Sequence, residues 1–357
     1  MKDVLQINNF IKKNRSKNLL LLTGNKSFID SGFKKTINDI ESKVNFVRYS
    51  NFSQNPEIND LLEGIKFFNN KKCDALIAVG GGSVIDMGKL IALLSNCKLI
   101  DIDGIKEYAQ NNKREVPLMC IPTTAGSGAE ATHFSVLYCD GIKHSISNPT
   151  LIPDSHILNP KYSYKTNQYQ RAISGLDALS QGIESMWAKE STEESIIYSK
   201  KAVQLIWNNL YQSVILNDFD AHKNVFEGSH LAGKAINISK TTAPHALSYY
   251  FTEKHNIKHG HAVALTLAKV YYLNRKQALN SKNKKLKEIF IDLDSILEIE
   301  NNSINVIENY IKKLNIEINF QNLEIDLENE IEKIKLMVNS ERFENNPFKL
   351  TIEEVFS

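Results

Sequence analysis

The apolar positions of this chain follow two regimes. Through the first 160 residues, short unbroken apolar runs alternate with stretches of helical period. Asn18-Leu19-Leu20-Leu21-Leu22-Thr23-Gly24, Ala75-Leu76-Ile77-Ala78-Val79 and Val116-Pro117-Leu118-Met119-Cys120-Ile121-Pro122 are such runs, each closing on turn residues. That is the pattern of strands buried on both faces of a parallel sheet. Phe28 to Lys43 and Ile58 to Asn70 carry a 3.6-residue period between them. The alternation predicts an α/β unit with a Rossmann-like, doubly wound parallel sheet over residues 1–160.

Beyond Pro160 the period is helical almost throughout, over Tyr169 to Lys189, Ser195 to Leu216, Lys223 to Ile238 and Ala262 to Asn274. Residues 161–357 are expected to form an all-α unit. Lys282 to Asn329 is biased toward Asn, Lys, Ile and Glu. Its Ile and Leu spacing stays helical, so the bias reads as compositional drift rather than disorder.

The composition narrows the function. A length of 357 residues suits two ordinary domains, and 42% hydrophobic with 24% charged residues is normal for a globular chain. A formal net charge of +2 lacks the basic footprint that phosphate-backbone binding demands, so nucleic acid is not an expected partner. Cys73, Cys97, Cys120 and Cys139 form no CxxC pair, which argues against a disulfide framework or a thiolate zinc cluster. Met1-Lys2-Asp3-Val4 opens no export signal and no apolar run approaches membrane-spanning length. The expectation is a cytoplasmic protein with no membrane partner.

Three constellations carry chemistry. Gly80-Gly81-Gly82-Ser83-Val84-Ile85-Asp86-Met87-Gly88-Lys89 leaves a strand and opens a helix. Glycines there let backbone approach a phosphate, and the helix N-terminus offers N–H groups to the anion. A plain strand-to-helix turn needs only one glycine, so three followed by Ser83 favour a ligand. Pro122-Thr123-Thr124-Ala125-Gly126-Ser127-Gly128-Ala129-Glu130 follows another strand. A solvated loop has the same composition, but the carboxyl end of a parallel strand is where ligands bind in open α/β sheets. The third is Asp177 and Gln181, at i and i+4 on one helix face, then His245, then His259-Gly260-His261. Carboxylate and imidazole suit a divalent metal that polarises a carbonyl. Spacing alone does not distinguish that from core histidines.

Taken in order, GGGSxxDxxK, PTTAGSGAE, DALxxxIE and the late HG pair resemble the iron-containing, group III metal-dependent alcohol dehydrogenases over most of the chain. The resemblance implies the dehydroquinate-synthase-like fold and NAD(P)-linked alcohol dehydrogenase or aldehyde reductase chemistry. It implies Fe²⁺ or Zn²⁺ on Asp177, Gln181, His245 and His259, with a glutamine where the family has histidine, which is a weaker donor. The family's proton-transfer histidine corresponds to Tyr249, so Tyr249, His255 or His261 would take that role. Cofactor binding falls on Gly24, Lys26, Gly81, Gly82, Ser83, Asp86, Thr123, Thr124, Ser127 and Lys143. Gly24 stands where members that prefer NAD(H) carry an aspartate, and with Lys26 beside it NADP(H) is expected over NAD(H). The alternative for Lys26 is a solvated residue at a helix start.

The segments Gln181 to Trp187, Ser239 to Tyr249 and Asn345-Asn346-Pro347 resemble the branch assigned as phosphonoacetaldehyde reductases. Lys240, with Thr241 and Thr242, is the expected partner of a phosphonate, although a lysine there also suits a helix C-terminus. A generic aldehyde or sugar-derived carbonyl substrate, a cofactor-retaining lyase and a metal-free nucleotide-binding protein are the alternatives. The family suggests a homodimer.

Overall fold

Alternate residues of the apolar runs bury on opposite faces of one sheet, which is why the runs show no polar alternation. In the computed structural model, which describes residues 2–40, 44–97 and 101–357, the strands are β1 (Asn18–Thr23), β2 (Asn45–Tyr49), β3 (Ala75–Gly80), β4 (Leu118–Pro122), β5 (Phe134–Cys139), β6 (Ile142–Ser147) and β7 (Ser155–His156). Five of them form a sheet in the order β2-β1-β3-β4-β7, parallel at every pairing. Leu20, Leu22, Leu76, Ala78, Leu118 and Cys120 enter one core, while Leu19, Leu21, Ile77, Val79, Met119 and Ile121 enter the other. A sheet buried on both faces needs an apolar residue at each position.

Ile58–Asn70 is the helix that the period predicts, and Gly82–Leu94 the one that the glycine-rich turn opens; both pack on the sheet. The expected helix from Phe28 is instead two short ones, Lys26–Ser31 and Phe33–Asn38, and its end at residues 41–43 lies outside the described residues. Gly32 breaks it, with φ at 71°, a left-handed conformation that glycine adopts without steric cost. β5 and β6 form an antiparallel hairpin whose turn is Asp140-Gly141, with φ at 52° and 75°. Positive φ at both residues is the type of two-residue turn that Asp-Gly favours.

The chain divides into two compact units, Met1–Thr124 with Ala129–Thr166, and Ala125–Gly128 with Asn167–Ser357. The second is helical. Gln168–Trp187 runs through its centre and is buried at every position from Ala172 to Trp187, which marks it as a core helix rather than an amphipathic one. Glu193–Val214, Phe219–Ser239, Ala243–Lys254 and His259–Asn280 surround it in sequence. The Asn-rich tail supplies Lys284–Ile296, Ser303–Lys313 and Leu327–Met337, whose Ile289, Phe290, Ile307, Ile311 and Ile334 join the same core. Among the described residues no helix is long and apolar enough to cross a membrane.

Candidate active site

In the first unit, β3 runs into Gly81, which is the N-cap of the helix Gly82–Leu94 and leaves it without a side-chain cap. The first N–H groups of that helix, Gly82 and Ser83 included, are therefore suited to an anion. Thr123 N–H donates to the Gly80 carbonyl at 2.9 Å, which fixes the two loops side by side. A Cβ on Gly81 would stand 3.2 Å from Thr124 Cγ2, so the glycine keeps a narrow backbone cradle open. Thr123 Oγ1 is buried with no hydrogen-bond partner among the described residues. An orphaned hydroxyl beside a bare helix N-terminus fits the pyrophosphate of a dinucleotide.

Asp86 lies on the same helix, and its Oδ2 accepts from Val136 N–H at 3.2 Å. Burial pushes its carboxyl up to about 6, against the opposing pull of Lys89 and Lys143. Asp86 and Lys143 are thus close enough to interact, the latter on β6. Lys89 was a residue of the glycine motif with no assigned role, and the structure supplies one. Fully buried, it donates to the Thr132 carbonyl at 2.8 Å, Thr132 Oγ1 at 2.9 Å and the Phe134 carbonyl at 2.9 Å, anchoring the entry to β5. Gly24 closes β1, and Lys26 is exposed at the start of the next helix.

The second Gly/Ser/Thr motif is divided between the units. Thr123 and Thr124 stay with the sheet, while Ala125–Gly128, Ser127 included, belong to the helical unit. Ser229 Oγ donates to the Gly126 carbonyl at 3.2 Å, and a Cβ on Gly128 would meet Gly233 Cα at 2.5 Å. Part of this motif is therefore an anchor on the helix Phe219–Ser239.

The metal constellation closes up in the helical unit. Donor atoms of Asp177, His245 and His259 all lie within 4.8 Å of one another. His245 Nε2 is 3.2 Å and His259 Nε2 3.8 Å from the same Asp177 oxygen. Gln181, one turn beyond Asp177, is 4% exposed, and its Oε1 has no hydrogen-bond partner among the described residues. A buried carbonyl oxygen without a donor is costly unless something electropositive meets it. Three donors of the right chemistry and an orphaned fourth on the same helix face fit a divalent cation.

Glu184, a residue to which sequence alone assigns no role, completes the set. It is fully buried, and its Oε1 accepts a hydrogen bond from His245 Nδ1–H, leaving Nε2 directed at Asp177. Its Oε2 accepts from Thr242 N–H at 2.7 Å and Thr242 Oγ1 at 3.0 Å, and Trp187 Nε1 donates to that hydroxyl at 2.9 Å. A carboxylate on one nitrogen of a histidine fixes the ring's tautomer and orientation, as metal sites require of their ligands. Its signal was the position of Glu184, two helical turns from Asp177. Burial acts to lower the His245 pKa, but Glu184 and then Asp177 outweigh it and raise it to about 9. The two carboxylates therefore favour positive charge at this position. Glu184→Gln is expected to weaken metal binding by about 10- to 100-fold, measured by titration of the stripped protein; unchanged affinity would remove Glu184 from this role.

Gly260 makes the close approach possible. A Cβ there would lie 2.1 Å from the Ile173 carbonyl oxygen and 3.0 Å from Asp177 Cβ. The His-Gly pair therefore joins a candidate ligand to the residue that lets its helix touch the backbone of Gln168–Trp187.

Other expected residues are placed elsewhere. Tyr249 lies one turn after His245 on the helix Ala243–Lys254 and is half-buried. His255 Nε2 is bound to Glu330 Oε2 at 2.7 Å. His261 has both nitrogens engaged, Nδ1 with the Tyr169 hydroxyl at 3.1 Å and Nε2 with the Glu317 carbonyl at 2.6 Å. Lys240 holds Glu341 at 2.8 Å and Glu190 at 3.4 Å, Thr241 accepts from Arg342, and Thr242 is committed to Glu184. The cation and hydroxyls assigned to a phosphonate are thus partnered within the protein. The three segments that suggested a substrate do meet: Ser239 Oγ donates to Ser185 Oγ at 2.7 Å, and Asn345 Nδ2 to the carbonyls of Ser239 at 2.8 Å and Thr241 at 3.0 Å.

Known proteins share this organisation. The family described as iron-containing alcohol dehydrogenase matches residues 2–160, and the C-terminal part of the Fe-containing alcohol dehydrogenase family matches residues 171–357. A phosphonoacetaldehyde reductase of Streptomyces viridochromogenes is 33% identical over 214 residues, covering 57% of this chain and 54% of that protein. The chain therefore matches about half the length of that relative. A sulfoacetaldehyde reductase from Bifidobacterium kashiwanohense, solved with NAD+, is 25% identical with a TM-score of 0.85, covering 99% of this chain and 92% of that one. A 1,3-propanediol oxidoreductase structure, at 24% identity and a TM-score of 0.87, covers 99% of this chain and 94% of that one and bears on the fold alone. With its dehydroquinate-synthase-like fold and its ordered motifs, the chain belongs to the iron-containing alcohol dehydrogenase family.

Proposed function

We propose that this chain is a metal-dependent reductase that uses NADPH, in preference to NADH, to convert a small aldehyde to its alcohol. Phosphonoacetaldehyde is the substrate, giving 2-hydroxyethylphosphonate. The observation that carries the reading is the buried, unpartnered Gln181 oxygen on the same helix as Asp177, beside a cluster that already gathers Asp177, His245 and His259. Those four residues would hold Fe²⁺ or Zn²⁺, which when bound polarises a carbonyl and stabilises the developing alkoxide. Glu184 keeps the His245 Nε2 lone pair available, and Thr242 and Trp187 keep Glu184 in place. The Tyr249 hydroxyl, one turn from His245, is the group proposed to deliver the proton to the alcohol oxygen. His255, bound to Glu330, instead supports the fold.

Gly81, Gly82, Ser83, Thr123 and Thr124 would receive the dinucleotide phosphates. NADPH is preferred because Gly24 presents no carboxylate to repel a 2′-phosphate. The substrate class is supported by two relatives whose names specify two-carbon aldehydes bearing a phosphonate or a sulfonate.

The test follows absorbance of NADPH with metal-loaded protein and phosphonoacetaldehyde, sulfoacetaldehyde or acetaldehyde. The expected order in kcat/KM places phosphonoacetaldehyde first. Turnover of acetaldehyde with none of the anionic substrates would overturn the substrate assignment. No oxidation of NADPH or NADH with any aldehyde would overturn the activity.

A further inference from the structure

The sheet order places β1 next to β3, the strand that carries the glycine loop, and β2 next to β1. In dinucleotide-binding sheets, the residue that reads the adenosine ribose stands at the carboxyl end of a strand neighbouring the glycine-loop strand. Here that strand is β1 and its end is Gly24, which has no side chain to offer. The adjoining β2 supplies one. Arg48 pairs in register with Leu21 of β1, and its side chain reaches back to the end of that strand. Its Nε donates to Thr23 Oγ1 at 2.8 Å and its Nη2 to the Gly24 carbonyl at 3.3 Å. The guanidinium carbon lies 4.7 Å above the centre of the Phe28 ring, which is itself buried.

Three fixed contacts orient a cation on a solvent-exposed residue. Among the described residues no carboxylate pairs with Arg48, and none accepts a hydrogen bond from its Nη1. An exposed arginine without an anionic partner loses side-chain entropy when held this way. A hydroxyl stands nearby: a Cβ on Gly24 would come within 2.4 Å of Ser27 Oγ. Where a carboxylate would begin, the chain therefore has a hydroxyl group and, beside it, a planar cation. That pairing suits a phosphate dianion. The glycine loop is near enough for one ligand to span both places. Val84, on the first turn of the glycine-loop helix, approaches both the Gly24 and the Gly80 Cβ positions, at 3.7 Å and 2.4 Å.

We propose that Arg48, with the Ser27 hydroxyl, reads the 2′-phosphate of NADP(H) and so sets the choice between the two nicotinamide dinucleotides. This rests on the NADPH preference given above. Arg48 selects the cofactor and takes no part in the chemical step.

The test is equilibrium binding of NADPH and NADH to the full chain, followed by fluorescence without added metal, with 2′,5′-ADP and 5′-AMP as competitors. The wild type is expected to bind NADPH and 2′,5′-ADP more tightly than NADH and 5′-AMP. Arg48→Ala should reduce the NADPH-to-NADH affinity ratio by about 10- to 100-fold, the scale of a lost charge-assisted contact to phosphate. Should Arg48→Ala fail to fold, Arg48→Gln, which keeps a donor for Thr23 while removing the charge, should lower the same ratio. A wild type that prefers NADH would overturn the cofactor preference, and the role of Arg48 with it. A wild type that prefers NADPH, with a ratio unmoved by either substitution, would overturn Arg48 alone.

Discussion

His245→Ala is expected to abolish stoichiometric metal binding and to lower kcat/KM by about a thousandfold or more, the loss anticipated when a site forfeits several kcal/mol of charge stabilisation. His245 has this weight because it joins both buried carboxylates, Asp177 through Nε2 and Glu184 through Nδ1. Removing the imidazole leaves two buried carboxylates without the group between them. Elemental analysis and steady-state kinetics of the variant check this, and wild-type metal content would refute it. The proton on His245 competes with the metal. Affinity should therefore rise with pH and level off above about 9, the value to which its pKa is raised in the metal-free chain.

Gly260→Ala is expected to damage fold and site together. The added Cβ would overlap the Ile173 carbonyl at 2.1 Å and crowd Asp177 Cβ at 3.0 Å. Neither neighbour is the end of a flexible side chain, so the helix His259–Asn280 has to shift away from Gln168–Trp187. Overpacking of this kind costs about 1–3 kcal/mol. The same shift would draw His259 away from Asp177, weakening metal binding by about tenfold or more. Thermal denaturation with and without Zn²⁺ measures both. A variant with wild-type melting and wild-type metal affinity would show that the helix contact is dispensable.

The core of the fold could be read from the sequence because buried parallel strands and long helices leave strong patterns. Ile58–Asn70 matches its predicted limits, and the helices carrying Asp177 and His259 were predicted to within a few residues at their starts. What escaped has specific causes. β2 is an edge strand whose only buried residue is Tyr49, so its pattern is too weak to stand out, and with it went Arg48. β7 has two residues and borrows its register from β4. The β5–β6 hairpin was signalled by Asp140-Gly141, but the flanking strands mix apolar residues with Ser, Lys and His.

The site was legible only in part. Asp177 and Gln181 announce themselves by a one-turn spacing, whereas His245 and His259 come from other helices and need the fold to join them. Lys240 shows the opposite limit. In sequence it is a free cation before a histidine; in the structure it is paired with Glu341, 101 residues away, and with Glu190, 50 residues away. Local sequence carries no trace of such partners. Gln181 stands out twice: in sequence it departs from the family, and in the structure its oxygen has no donor among the described residues.

The central claim is that Asp177, Gln181, His245 and His259 form a metal centre. Anaerobic titration of the stripped full chain with Fe²⁺ and Zn²⁺ by calorimetry, paired with elemental analysis, tests it most directly. Saturable binding of a single ion per chain, lost in His245→Ala and tightened in Gln181→His, is the predicted result. Absence of saturable binding by either ion, or binding that survives His245→Ala unchanged, would contradict it.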